Sequence, residues 1–237
     1  MARESFHREL NRVVEEVVQL GREVESCLDT MVEAMKHWDA ETASRQVGLD
    51  SHYKEWGAQI EEECMVLQAR QAPVARDLRL VHTAQTVTNH HLVRTGTLCE
   101  HICGAIVETA EVERDPDLQT TIFEMSSLAR DLFREGLDVF DNRDIDHAQS
   151  LQAEDDKVDL LYSEAINLIV NPSTTNGGGG GGSPEWRIRA ALIVHYLERI
   201  ADHGVDIGGR TVFLVTGECM EDAMSQYRER RRDDSGE

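Results

Sequence analysis

The chain has 237 residues, with 24 Lys and Arg against 45 Asp and Glu, a formal net charge of −21. Such an excess of negative charge argues against wrapping nucleic acid or resting on anionic lipid, because both need clustered cations. Hydrophobic residues make up 40%, enough for a core, while aromatics at 5% and only 4 prolines argue against a sheet protein and for helices.

Residues 4–36 carry Leu10, Val14, Val17, Gly21, Val24, Leu28, Met31 and Met35 at alternating spacings of four and three. That is the seam of a helix packed at a shallow angle in a bundle. His37-Trp38-Asp39 breaks it, and Asp39 is the expected N-cap of a second helix running to about Arg70. Pro73 then suits the first turn of a third helix, from about Val74 to Glu108. Arg114-Asp115-Pro116 interrupts the chain again, and Leu118, Ile122, Met125, Ala129, Leu132, Gly136 and Val139 repeat the same seam. A fifth helix follows the Asn142-Arg143-Asp144 turn and ends near Asn171-Pro172, and a sixth runs from Pro184 to about Glu218. No segment reads as a strand. The expected fold is all-α.

The two sets of three helices superpose in sequence at a constant offset of 105 residues: Asp39 falls on Asp144, Asp50 on Asp155, Leu92 on Leu197, Arg94 on Arg199 and Ile102 on Ile207. A period this long is a duplicated domain rather than a short solenoid repeat. The expected organisation is two tandem, pseudo-symmetric three-helix bundles at residues 1–110 and 111–218, with a disordered tail at 219–237. Gly177 to Gly182, closed by Ser183-Pro184, read as a flexible connector at 176–183, with Ser183 as N-cap. The glycines are not a phosphate loop, because GxxxxGK[ST] is absent and no strand precedes them.

Cys27, Cys64, Cys99, Cys103 and Cys219 are odd in number and scattered, which suits a reducing cytoplasm better than a disulfide framework. No charged-then-apolar leader opens the sequence and no apolar run nears about 18 residues, so neither a signal peptide nor membrane insertion is expected. Only Lys36, Lys54 and Lys157 are lysines, and a Lys-poor acidic surface fits a protein kept soluble in concentrated salt, or an ordinary acidic cytosolic one.

Candidate chemistry lies in Tyr196 to Ile207, where Glu198, Asp202 and Asp206 are successive i, i+4 neighbours on one helical stripe. On the preceding helix Asp155, Asp156 and Asp159 add negative charge. If the helices face each other there, their carboxylates form an oxygen-rich set suited to Mg, Mn or iron, whose charge offsets the repulsion. The alternative is a solvated acidic face, and spacing alone favours it.

Context changes that balance. Leu197-Glu198-Arg199-Ile200-Ala201-Asp202-His203, read as LERIADHG followed by DIG, resembles the LERIGDHA and NIA pattern of the PhoU family. Ile60-Glu61 with Cys64, the run from Pro73 to Arg79, the run from Asp155 to Tyr162 and the closing stretch Val212 to Glu218 add to the resemblance, which spans residues 3–218 outside the connector. It implies two three-helix bundles, each with an acidic ExxxD motif holding metal ions or multinuclear clusters. It also implies a non-enzymatic cytoplasmic regulator that associates with a phosphate ABC transporter and a sensor histidine kinase and represses phosphate-starvation responses. Glu198 and Asp202 match the second motif directly, and Asp155 and Asp159 match acidic positions of the preceding helix.

The first half departs from that pattern, with Val93 and Thr97 where carboxylates are expected. Asp50 and Asp77 remain, and His90, His91 and His101 could recruit a softer metal such as zinc or be ordinary histidines. One conventional site, in the second half, is therefore expected. Long amphipathic helices also suggest a homodimer. Two other functions stay open: an interaction module without metal and with another regulatory target, and a carboxylate-bridged metal oxidase. Against the oxidase, no Glu-x-x-His stands on the last helix of either half, and Glu198 is followed at that spacing by Ala201.

Overall fold

The structure is a computed structural model that describes residues 2–172 and 182–218. Most of the expected connector and the whole 219–237 tail, with Cys219, lie outside the described residues. Among the described residues there are seven helices and no strand. They are α1 (Ala2–His37), α2 (Ala40–Ser44), α3 (Asp50–Gln71), α4, α5 (Pro116–Asn142), α6 (Ile145–Val170) and α7 (Pro184–Thr216). Helix α4 is continuous through Ala75–Thr86, a π-helical Val87–Leu92 and Val93–Glu108.

Helix starts follow local chemistry. The Asp39 carboxylate accepts from the Glu41 backbone N–H and the Thr42 hydroxyl, Asp144 from the His147 N–H, and Ser183 from the Trp186 N–H, each satisfying a first-turn donor. Asp115 caps α5, with Pro116 following at the position where its missing N–H costs nothing. The seam residues of α1 from Leu10 to Met35 and of α5 from Leu118 to Val139 are largely buried, so hydrophobic burial holds the bundles together.

One element differs from the sequence expectation. The second helix does not run unbroken from Asp39 to Arg70: it splits into α2 and α3 around Gly48, which adopts φ +96°. The matching position 105 residues later is Ala153, and there α6 stays continuous. Glycine populates that backbone region at little cost, whereas alanine does not. The π-helical turn in α4 has no counterpart in α7 and no signature in the sequence pattern.

Helices α1, α3 and α4 pack as one bundle and α5, α6 and α7 as the other. The bundles join through α1 against α5 and α4 against α7. The second bundle contains the closest backbone approach. A Cβ placed on Gly136 of α5 would stand 2.2 Å from the Gly204 carbonyl oxygen of α7, and one on Gly204 would stand 2.4 Å from the Leu132 carbonyl oxygen. The first-half residues in the same register are Met31 and Cys99, both buried.

One end of the molecule is tied by aromatic rings. Trp38, after α1, meets Trp186 of α7 edge-on at 4.7 Å between ring centroids and donates its indole N–H to the Thr109 hydroxyl after α4. The Ser183 N–H bonds the Glu113 carbonyl, fixing the start of α7 to the turn between the bundles.

Gly136→Ala is expected to lower the melting temperature by several degrees, since backbone cannot yield to a Cβ at that distance and overpacking costs about 1–3 kcal/mol. Gly104→Ala meets nothing within 4 Å and is expected to be neutral or stabilising by up to about 1 kcal/mol. Thermal denaturation of the two variants beside the parent chain checks both.

Candidate functional site

Helices α6 and α7 pack side by side and bring four of the five expected site residues into one electrostatic group. Asp155 is buried on α6 and Asp159 exposed one turn on; Glu198 is partly buried and Asp202 exposed on α7. No Lys or Arg ion pair reaches Asp155, Asp159 or Asp202 among the described residues. Burial, then the facing Asp202 with Asp159, Asp156 and Glu198, pushes the Asp155 carboxyl up to about 6. Glu198 is raised by burial, Asp202 and Asp159, although His195, 3.6 Å from its carboxylate, works the other way. Asp202 is raised by burial, Asp206 and Asp159.

Asp206 stands at the edge of the group. It is raised by burial and lowered by Arg210, the next residue of its own stripe, and its carboxylate lies 3.8 Å from His91 Nδ1 on α4. The sequence reading stopped the stripe at Asp206 and overlooked that Arg210, four residues on, closes it with a positive charge.

The set consists of oxygen donors only, contributed by two neighbouring helices and, apart from His195 beside Glu198, without a basic side chain in ion-pair contact among the described residues, which is chemistry that suits a hard cation. Asp155, Asp159, Glu198 and Asp202 are the residues that could hold one. Among the described residues, no three His, Cys, Asp or Glu side chains stand close enough together to hold a metal ion. Like charges without a counter-ion keep apart, so a ligand set here needs side-chain rotation.

The corresponding place in the first half is built differently. At the 105-residue offset, Asp50, Lys54, Val93, Thr97 and His101 stand where the second half has Asp155, Asp159, Glu198, Asp202 and Asp206. The Lys54 ammonium pairs with Asp50 Oδ2, and the Thr97 hydroxyl donates to Asp50 Oδ1 at 2.5 Å. Burial acts against it, yet Lys54 and Thr97 hold the Asp50 carboxyl below its usual range. The Asp50 backbone N–H donates to Glu100 Oε2 at 2.8 Å, capping the start of α3. The sequence reading noted Val93 and Thr97 but missed Lys54, although the same offset places it on Asp159.

The remaining candidates separate. Asp77 sits at the start of α4, 3.8 Å from His7. His90 and His101 are exposed, and His101 lies beside the Tyr196 ring. His91 is buried in the π-helical turn with neither ring nitrogen hydrogen-bonded, its ring 5.4 Å from that of His203. Burial, His203 and Arg210 push His91 down to about 3, and burial with Arg199 and Arg94 pushes His203 down to about 4. The His203 Nδ1 and the Thr95 hydroxyl share a 2.9 Å hydrogen bond across the two bundles. Both imidazoles are therefore neutral packing groups between the bundles. Cys27, Cys64, Cys99 and Cys103 are buried free thiols.

Comparison with known proteins follows the same duplication. The PhoU domain model matches twice, at residues 17–106 and 122–211. The chain is 26% identical to a phosphate-specific transport system accessory protein PhoU homolog of Clostridium acetobutylicum, over 92% of this chain and 97% of that one. It is 30% identical to the phosphate-specific transport system accessory protein PhoU of Serratia marcescens, over 90% of this chain and 85% of that one. The crystal structure of PhoU from Pseudomonas aeruginosa superposes with a TM-score of 0.81 at 25% identity, covering 90% of this chain and all of that one.

The Asp155 shift gives a pH signature. Its folded value near 6 lies above the unfolded 3.8, so the folded state holds an extra proton between them and stability falls as pH rises through that window. In chelator, Asp155→Asn is expected to melt higher than the parent at pH 7.5, and the gap is expected to shrink as pH falls from 6 toward 4. Melting curves of both proteins across that range check the sign.

Proposed function

The chain belongs to the PhoU family, and from that premise we propose that it is a non-enzymatic regulator of phosphate transport whose acidic α6–α7 face responds to a bound metal ion. The observation that carries the reading is the meeting of Asp155 and Asp159 with Glu198 and Asp202, on the helices and in the register that the family match spans. Magnesium, manganese, iron or zinc could serve there, the all-oxygen set favouring the first three.

When bound, such an ion supplies positive charge that offsets the carboxylate repulsion and inverts the local sign. The residues do the rest. Asp155, anchored in the bundle, presents its carboxylate from α6, and Glu198 and Asp202 close toward it from α7. The surface then changes from one that repels acidic groups to one that accepts them. In this reading the face docks against cytoplasmic portions of a phosphate ABC transporter or a sensor histidine kinase, and release of that contact lifts repression of phosphate-starvation responses. Self-association of the chain as a homodimer is compatible with it. That the relatives are accessory proteins of phosphate-specific transport supports the partner class. The absence of three converged donors among the described residues favours a second reading, a docking module without metal.

Glu198→Gln with Asp202→Asn separates the two. Elemental analysis of protein purified without chelator is expected to show bound metal in the parent chain and at least a tenfold loss in the variant. Affinity capture from cells grown at high and low phosphate is expected to recover a transporter subunit or sensor kinase with the parent and not with the variant. Equal metal content together with equal capture would overturn the metal reading.

A further inference from the structure

Four positions that are all carboxylates in the second half carry one carboxylate, one lysine, one threonine and one valine in the first. The formal charge of the quartet goes from −4 at Asp155, Asp159, Glu198 and Asp202 to zero at Asp50, Lys54, Val93 and Thr97. The exchange is not scattered. The single carboxylate that survives, Asp50, is contacted by the two polar replacements: the Lys54 ammonium on Oδ2 and the Thr97 hydroxyl on Oδ1. The Thr97 hydroxyl also lies 3.1 Å from the Val93 backbone carbonyl, one turn back on α4, so it shares its proton between that oxygen and Asp50 Oδ1. The contacts run from α3 to α4, the pair of helices that corresponds to α6 and α7.

An isolated i, i+4 Lys–Asp pair on a helix surface is ordinary and contributes little. Three features set this one apart. The lysine replaces an acid in the register where a cation is wanted, the neighbouring helix donates a second hydrogen bond to the same carboxylate, and the other two acids are gone. Within the four compared positions the one remaining carboxylate has one ammonium as its partner.

We propose that the Lys54 ammonium is a tethered counter-ion that does in the first half what a bound cation does in the second, so that only the second half depends on metal. This rests on the metal reading for the second half. It deepens that reading by giving the two halves different responses: one permanently closed on its own charge, the other set by cation supply. The selecting residue is Lys54, since an ammonium on Asp50 excludes a divalent ion by repulsion and by occupying its oxygen.

The test uses the full chain, chelated and then dialysed against Mn²⁺, with bound metal counted by elemental analysis and melting followed in parallel. In the Glu198→Gln, Asp202→Asn background, which keeps Asp155 and Asp159, bound Mn²⁺ that a further Asp50→Asn abolishes reports the first half. There the expected result is none with Lys54 present, and at least one ion per chain after K54D, V93E and T97D are added. Should that combination fail to fold, K54D alone in the same background serves: Mn²⁺ is expected to raise its melting temperature and to leave that of the Lys54 protein unchanged. The proposal is overturned if the background protein binds Mn²⁺ that Asp50→Asn then removes, or if the acidic replacements gain neither ion nor melting response. Failure of the otherwise unmodified chain to bind Mn²⁺ would instead count against the second-half reading, while gain of an ion by the replacements would still support the role of Lys54.

Discussion

The contact on which the second half depends is that of two helix backbones with no side chain between them. Gly136 and Gly204 bring α5 and α7 close enough that each leaves no room for a Cβ on the other. This fixes the rotation of α7 about its own axis. A helix turns about 100° per residue, so Asp202, two positions before Gly204, is carried to the far side of α7 from α5. The carboxylate stripe therefore stays at the rim, exposed at Asp202 and half-buried at Glu198, where the charges can be hydrated and still meet Asp155. A looser glycine seam would let α7 roll and scatter the group.

The first half is assembled from different contacts. Where the second half has Gly136 and Gly204 it carries Met31 and Cys99, both buried side chains of its core. Its α2 and α3 are separate pieces, and its α4 carries a π-helical turn that directs His91 inward against His203. A charge group that is internally balanced needs no exact rotation of the helix that carries it. Two copies of one domain are thus packed through different contacts.

How much of this was legible in the sequence depends on the range of the interaction. The Asp39, Asp144 and Ser183 caps and the seams of α1 and α5 could be read directly, because they depend on neighbours within one or two turns. The break at Gly48 and the turn at Val87–Leu92 could not, since a lone glycine within a helical stretch is tolerated as well as it is breaking, and a π-helical turn carries no sequence signature. At the site, the acidic stripe of Glu198 and Asp202 could be read from spacing, while its meeting with Asp155 and Asp159 depended on whether the two helices face each other there. The partners of Asp206 could not be read, because His91 approaches from the other bundle. Lys54 was legible in principle: the repeat offset exposes it, but inspecting one half for acids conceals a base that took an acid's place.

The aromatic clasp at the end of α1 bears on how this chain can change. Trp186 rests on Trp38, and the Ser183 N–H is held by Glu113, so α7 takes its position from what it touches rather than from the residues that lead into it. The start of α7, and with it the helix that carries the acidic rim, is thus held from the first bundle, so a change at Trp38 would be felt at a site that this ring does not touch.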